Sequence, residues 1–202
     1  MCGRFVLLAD LPQVVDAFHI GEIHCDYAPL SEAYPGQNVY AVVRGTVNRL
    51  VQFRWGLIPS WSKEPASGNR MFNARAETLM EKPSFRGIFK RQRCLILADG
   101  FYEWEKGEKN KKIPHYYRLV FGEPFGFAGL YDSRSGADGR LLLTCTLITT
   151  MPNDLIRRVH DRMPAIISRD DESTWLDPAV SDPCRLMALL HPYPAAAMEE
   201  KR

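Results

Sequence analysis

Four stretches between Arg93 and Thr150 decide the fold: RCLILADGFYEWE (93–105), IPHYYRLV (113–120), FGFAGLYDS (125–133) and LLLTCTLITT (141–150). Each is apolar, β-branched or aromatic, and Gly, Lys or Asp clusters separate them, so they read as consecutive strands. Four such strands in a row predict an antiparallel sheet that curls on itself or packs on another. Towards the N-terminus, NVYAVVR (38–44) and NRLVQFRWGL (48–57) read as a hairpin turned at Gly45. The chain opens with a short strand, CGRFVLL (2–8). Asp10 then caps a helix whose Leu11, Val14, Val15 and Phe18 fall on one face. Residues 21–37 read as a long loop, and PSWSKEPASGN (59–69) as a mobile, turn-rich one. Helices return only late, at NDLIRRV (153–159), DESTWL (171–176) and DPCRLMALL (182–190), with Asp182 as cap and Pro183 in the first turn. No repeat or low-complexity linker divides the chain. The expectation is one α+β domain over residues 1–202, with antiparallel strands curled into a barrel-like pair of sheets and a few peripheral helices.

At 202 residues, 46% hydrophobic and 25% charged, the composition is that of a globular domain and excludes disordered, collagenous and coiled-coil chains. No window approaches the roughly 18 apolar residues of a membrane span, and the start lacks a secretory pattern. A cytoplasmic, monomeric protein is expected, associated with the nucleoid when bound to DNA. The net charge of +2 is unevenly spread: from Lys82 to Arg118 ten Lys and Arg face four acidic residues. A basic middle could track a polyanion. For the run Lys106 to Lys112 alone, a solvated hairpin tip is the favoured reading.

The five cysteines (2, 25, 94, 145, 184) form no CxxC or CxxH spacing, which argues against both a disulfide scaffold and a zinc site. Cys94 and Cys145 sit in apolar runs and read as small core residues. No ligand cluster for a metal and no glycine loop for a nucleotide is present, so no cofactor is expected.

Cys2 is different because of its position. An initiator methionine is normally excised before a small second residue, which would leave cysteine at the mature N-terminus. The α-amine then has a pKa near 8 against about 10.4 for lysine, so far more of it is neutral and nucleophilic at pH 7. Such an amine forms an imine with an aldehyde, and the thiol can close on the same carbon to give a thiazolidine. If Met1 is retained, that ring cannot form.

Cys2 keeps company with MCGRF (1–5), WGLIPSW (55–61), FNARAET (72–78), RCLILADGFYEW (93–104) and HDRMP (160–164). In order and spacing these motifs resemble the SRAP (SOS response-associated peptidase) family, whose members sense abasic sites in single-stranded DNA. The resemblance runs from residue 2 to about residue 190. It implies that Cys2 forms a thiazolidine crosslink with the ring-opened sugar of an abasic site, shielding it from cleavage, and that Asn73 holds the amine and the sugar. It also implies that Glu103 moves protons and that His160 acts on the sugar ring oxygen and the leaving 3′ phosphate. Strand alternation places Phe101, Glu103 and Glu105 on one face. A carboxyl among aromatics has the raised pKa that proton transfer needs. Glu105 reads instead as an exposed residue paired with Lys106.

Arg4, Arg75 and Arg162 are the expected phosphate contacts, Trp61 a stacking platform, and Pro35 and Thr149 groove-lining residues by family position. Trp55 reads as core, and Glu77 as a structural partner of an arginine. Family members commonly carry Tyr-Asn-x-Ala-Pro before the first hairpin, where this chain has Ser31-Glu32-Ala33-Tyr34-Pro35. Two other readings stand beside the lyase-like crosslinker. One is a cysteine peptidase or amidase with Cys2 as nucleophile and His160 as base, whose action could be limited to removing Met1. The other is a non-covalent module for single-stranded nucleic acid.

Overall fold

All six residues of Arg93–Ala98 are buried, as an uninterrupted apolar run requires when both faces of a strand are covered. In chain order, the strands that the computed structural model contains are β1 (Phe5–Leu7), β2 (Ile20–Ile23), β3 (Leu30–Ala33), β4 (Asn38–Arg44), β5 (Asn48–Trp55), β6 (Asn73–Arg75), β7 (Arg93–Ala98), β8 (Gly100–Lys106), β9 (Lys112–Leu119), β10 (Phe125–Ser135), β11 (Leu141–Thr150), β12 (Met163–Pro164) and β13 (Met198–Lys201). The helices are α1 (Leu11–Ala17), α2 (Pro83–Phe89), α3 (Arg169–Leu176) and α4 (Pro183–Ala188). The structure describes residues 2–62, 71–108, 111–135 and 141–201. Most of the turn-rich loop (63–69) and the extreme tip of the lysine-rich hairpin (109–110) lie outside them.

Strands β11, β10, β7, β4 and β5 neighbour one another in that order, and a parallel pairing of β11 with β5 (Thr144 with Arg54, Cys145 with Trp55) closes them into a five-stranded barrel. A second sheet, β13-β9-β8-β1-β3, lies beside it. Alternation sorts the barrel residues into two cores. Cys94, Ile96 and Ala98 join Trp55, Phe127, Cys145 and Leu147 and meet Phe5, Phe101 and Tyr117 of the second sheet. Leu95 and Leu97 join the core covered by the helices, through Val14, Phe89, Trp175 and Leu186.

The barrel-like α+β architecture is as expected, with several differences of detail. The stretch 93–105 is two strands, not one. At Asp99 the chain leaves the barrel and enters the second sheet, and the Asp99 carboxylate holds that corner by accepting the Leu8 and Ala9 amides. The supposed loop 21–37 contains β3 and most of β2, because Ile20, Ile23 and Leu30 find edges to pair with. Three pairings are parallel, those of β2 and β11 with β5 and that of β6 with β11, which local patterning cannot reveal. Helix α2 was unforeseen: it starts at Pro83 and buries Phe85, Ile88 and Phe89. Arg93, counted above in the basic stretch, is 2% exposed and donates to the carbonyls of Phe89, Trp175, Asp177 and Val180. It ties α2 and α3 to the barrel instead of facing a polyanion. Among the described residues no helix is long and apolar enough to cross a membrane.

Candidate active site

The antiparallel pairing of β1 with β8 sets Phe5 opposite Phe101, and the Tyr102 amide donates to the Arg4 carbonyl at 2.9 Å. Residues 2–4 therefore run alongside residues 102–104, and Cys2 comes close enough to Glu103 to feel its charge. Cys2 is completely buried, and burial first, then the Glu103 carboxylate, push its thiol pKa far up. The thiol is therefore held neutral.

Asn73 begins β6, a strand too short to be seen in the sequence, which lies parallel to β11 with Asn73 opposite Leu147. Its position is anchored by the preceding carbonyl, that of Phe72, which accepts both the Leu147 amide at 3.0 Å and the Trp55 indole N–H at 2.8 Å. The Asn73 Nδ2 donates to the Cys2 carbonyl at 2.7 Å, while its Oδ1 is buried without a protein partner. The carboxamide thus grips the main chain of Cys2 and keeps an acceptor in reserve.

Glu103 lies on the buried face of β8 with Phe101, 1% exposed, and burial raises its pKa to about 7. His160 follows the 3-10 turn Ile156–Arg158, and its Nε2 stands 4.0 Å from Glu103 Oε2. Burial lowers the His160 pKa, so the ring is neutral at pH 7. Four separated segments thus converge: the N-terminal strand, the NAR strand, the corner-turning strand β8 and the turn after 158. A neutral thiol, a carboxyl poised to exchange a proton near neutrality, a neutral imidazole and an amide can together handle an electrophilic carbonyl carbon and shuttle its protons. Among the described residues no group of three His, Cys, Asp or Glu could hold a metal.

The expected DNA contacts divide. Arg75 and Trp61 are exposed, Trp61 at 65%, and Pro35 is half-buried in the turn whose Gly36 (φ +93°) donates to the Trp55 carbonyl. Arg4 is half-buried, stacked 4.1 Å over the Tyr102 ring and paired with Glu32, which also accepts the Tyr34 hydroxyl at 2.6 Å. Glu32 stands at the asparagine position of the family's run and pairs with Arg4, a partnership invisible at a separation of 28 residues. Thr149 and Arg162 lie deeper. Thr149 is fully buried, with its hydroxyl 3.4 Å from the Ala74 carbonyl. Arg162 is 7% exposed and makes a forked pair with Glu77 (2.7 and 2.9 Å) and a bond to the Thr149 carbonyl at 2.6 Å. Both join β6, β11 and the 160–162 turn. Glu105 pairs with His115 at 3.2 Å, and not with Lys106. Trp55, Cys94 and Cys145 are core, each 0% exposed.

A family model described as SOS response associated peptidase (SRAP) matches residues 1–202. The chain is 45% identical over 202 residues to "Abasic site processing protein YoqW" of Bacillus subtilis (strain 168), covering 98% of this chain and 90% of that protein. It is 35% identical over 166 residues to "Abasic site processing protein HMCES" of Gallus gallus, covering 71% of this chain and 49% of that one. Among solved structures, a protein from Bacteroides thetaiotaomicron superposes with a TM-score of 0.86 at 27% identity, over 98% of this chain and 90% of its own. Matched from end to end by that model, the chain belongs to the SOS response associated peptidase family.

Proposed function

We propose that this protein processes abasic sites in single-stranded DNA by capturing them covalently through Cys2. The reading is carried by one observation: Asn73 grips the main chain of Cys2 beside a carboxyl whose pKa is about 7. The names borne by its relatives agree with it. Hydrolysis of the Met1–Cys2 bond frees the α-amine. The ring-opened sugar presents its aldehyde carbon, the amine adds, and loss of water leaves an imine. The thiol then adds across the C=N bond, forming the C–S bond while its proton passes to nitrogen. Glu103 takes the proton that the amine sheds, and His160 serves the sugar oxygen. A neutral, buried thiol suits this order, since the amine attacks first and the sulfur closes the ring second.

That same thiol disfavours a general cysteine peptidase, which needs a thiolate of lowered pKa. Met1 is removed before the crosslink forms, and no wider peptidase action belongs to this reading. Arg4, Arg75 and Trp61 hold the strand by phosphate charge and base stacking, with Pro35 shaping the groove.

The test is an intact-mass measurement to establish that Met1 is gone, followed by mixing with a single-stranded oligonucleotide bearing one abasic site. A denaturation-resistant adduct is expected, lost in Cys2→Ala and reduced in Cys2→Ser to an imine that only a reductant traps. Cleavage of unrelated peptides without DNA, or binding with no covalent species in the mature protein, overturns the reading.

A further inference from the structure

Glu77 is a half-exposed carboxylate on the turn after β6, four residues beyond Asn73. Its two oxygens receive both terminal nitrogens of Arg162, whose guanidinium is buried and also bonds the Thr149 carbonyl. The main-chain N–H of the same Arg162 donates to His160 Nδ1 at 3.0 Å. A ring nitrogen that accepts an N–H carries no proton, so the neutral imidazole holds its proton on Nε2, the nitrogen 4.0 Å from Glu103. Asp161 opposes this: its exposed carboxylate lies 2.9 Å from Nδ1 and would draw the proton there. Glu103 and Lys106 are further charged groups that bear on the ring. Which nitrogen is protonated therefore depends on how firmly the Arg162 amide is held in place, and the side chain that holds it is anchored on Glu77.

We propose that Glu77 is a positioning residue: its forked pair with Arg162 fixes the 160–162 turn so that the Arg162 N–H occupies Nδ1 and His160 presents Nε2–H to Glu103 and the bound sugar. The inference rests on the crosslinking reaction proposed above for its consequence, but not for its geometry. The same fork links the segment that follows Asn73, whose carboxamide holds Cys2, to the turn that carries the imidazole.

The test is the ring-nitrogen NMR spectrum of His160 in the full-length mature protein at pH 8, read beside the rate of adduct formation. In the natural protein Nε2 carries the proton. Glu77→Gln, which keeps shape, and Glu77→Ala should both shift the ring towards the Nδ1–H form and slow adduct formation on the order of tenfold, the cost of a misplaced catalytic group. Asp161→Asn in the Glu77→Gln background should restore the Nε2–H form and most of the rate, because the negative charge that draws the proton to Nδ1 is gone and the carboxamide can itself donate to Nδ1. A role in stability alone would lower the melting temperature and leave the tautomer unchanged. Retention of Nε2–H in both Glu77 variants, with rates within about twofold of the natural protein, overturns the proposal. A natural protein that yields no adduct would instead count against the crosslinking function, while the tautomer still decides the role of Glu77.

Discussion

Glu103 shows what a buried carboxyl costs its host. An unfolded glutamate ionises near its ordinary 4.5, but burial keeps the folded carboxyl protonated until about 7. Between those values the folded state holds a proton that the unfolded state has released, so raising pH through this window destabilises the fold. Glu172, buried beside Arg169 and likewise raised to about 7, contributes in the same direction. Thermal unfolding of Glu103→Gln should therefore occur at higher temperature than in the natural protein at pH 8, with the gain shrinking towards pH 5. The same variant should form adduct roughly a hundredfold more slowly, the order that a general acid or base supplies. In the natural protein the adduct rate should fall below pH 7, as protonated Glu103 can no longer accept the amine proton. That inflection should vanish in Glu103→Gln; an unchanged profile would remove Glu103 from the proton path.

Individual elements are held by means that differ in how far apart their parts lie. Helix α1 is set locally: Asp10 accepts the Gln13 amide at 2.9 Å and Gln13 accepts the Asp10 amide at 2.8 Å, a reciprocal cap readable from the residues alone. Asp10→Ala should cost about 1 kcal/mol in urea denaturation. Strand β10, by contrast, depends on its neighbour. A Cβ at Gly126 would lie 2.8 Å from Leu95 Cβ, near the root of that side chain where no rotation relieves it. Gly126→Ala should lower stability by about 1–3 kcal/mol, visible as a lower urea midpoint at an unchanged slope. β6 is the opposite extreme. Its three residues NAR carry no strand pattern, and only the edge offered by β11 makes them a strand.

Over the whole molecule, barrel and site share one side chain. Trp55 ends the barrel strand β5, packs 5.0 Å from Phe5 of the second sheet and donates to the Phe72 carbonyl that precedes Asn73. Trp55→Ala should cost about 3–5 kcal/mol, as truncation of a large buried aromatic does. It should also slow adduct formation more than an equally destabilising change remote from the site, because the anchor of Asn73 is lost with the indole. Equal slowing by both, measured on protein that circular dichroism shows to be folded, would mean that the indole supports the core alone.

The amino-acid sequence by itself determined the strand-rich class, the hairpin at Gly45, the caps at Asp10 and Asp182, and the motifs that name the family. Each of these rests on side-chain periodicity, backbone preference or short spacing, which operate within a few residues. The buried face of Glu103 was legible for the same reason, since alternation is local. Only the tertiary structure decided that β11 meets β5 in parallel, that the chain changes sheets at Asp99, and that Glu32 meets Arg4 and Glu77 meets Arg162. These contacts join residues far apart in the chain, and their partners are selected by the space left once the barrel has closed.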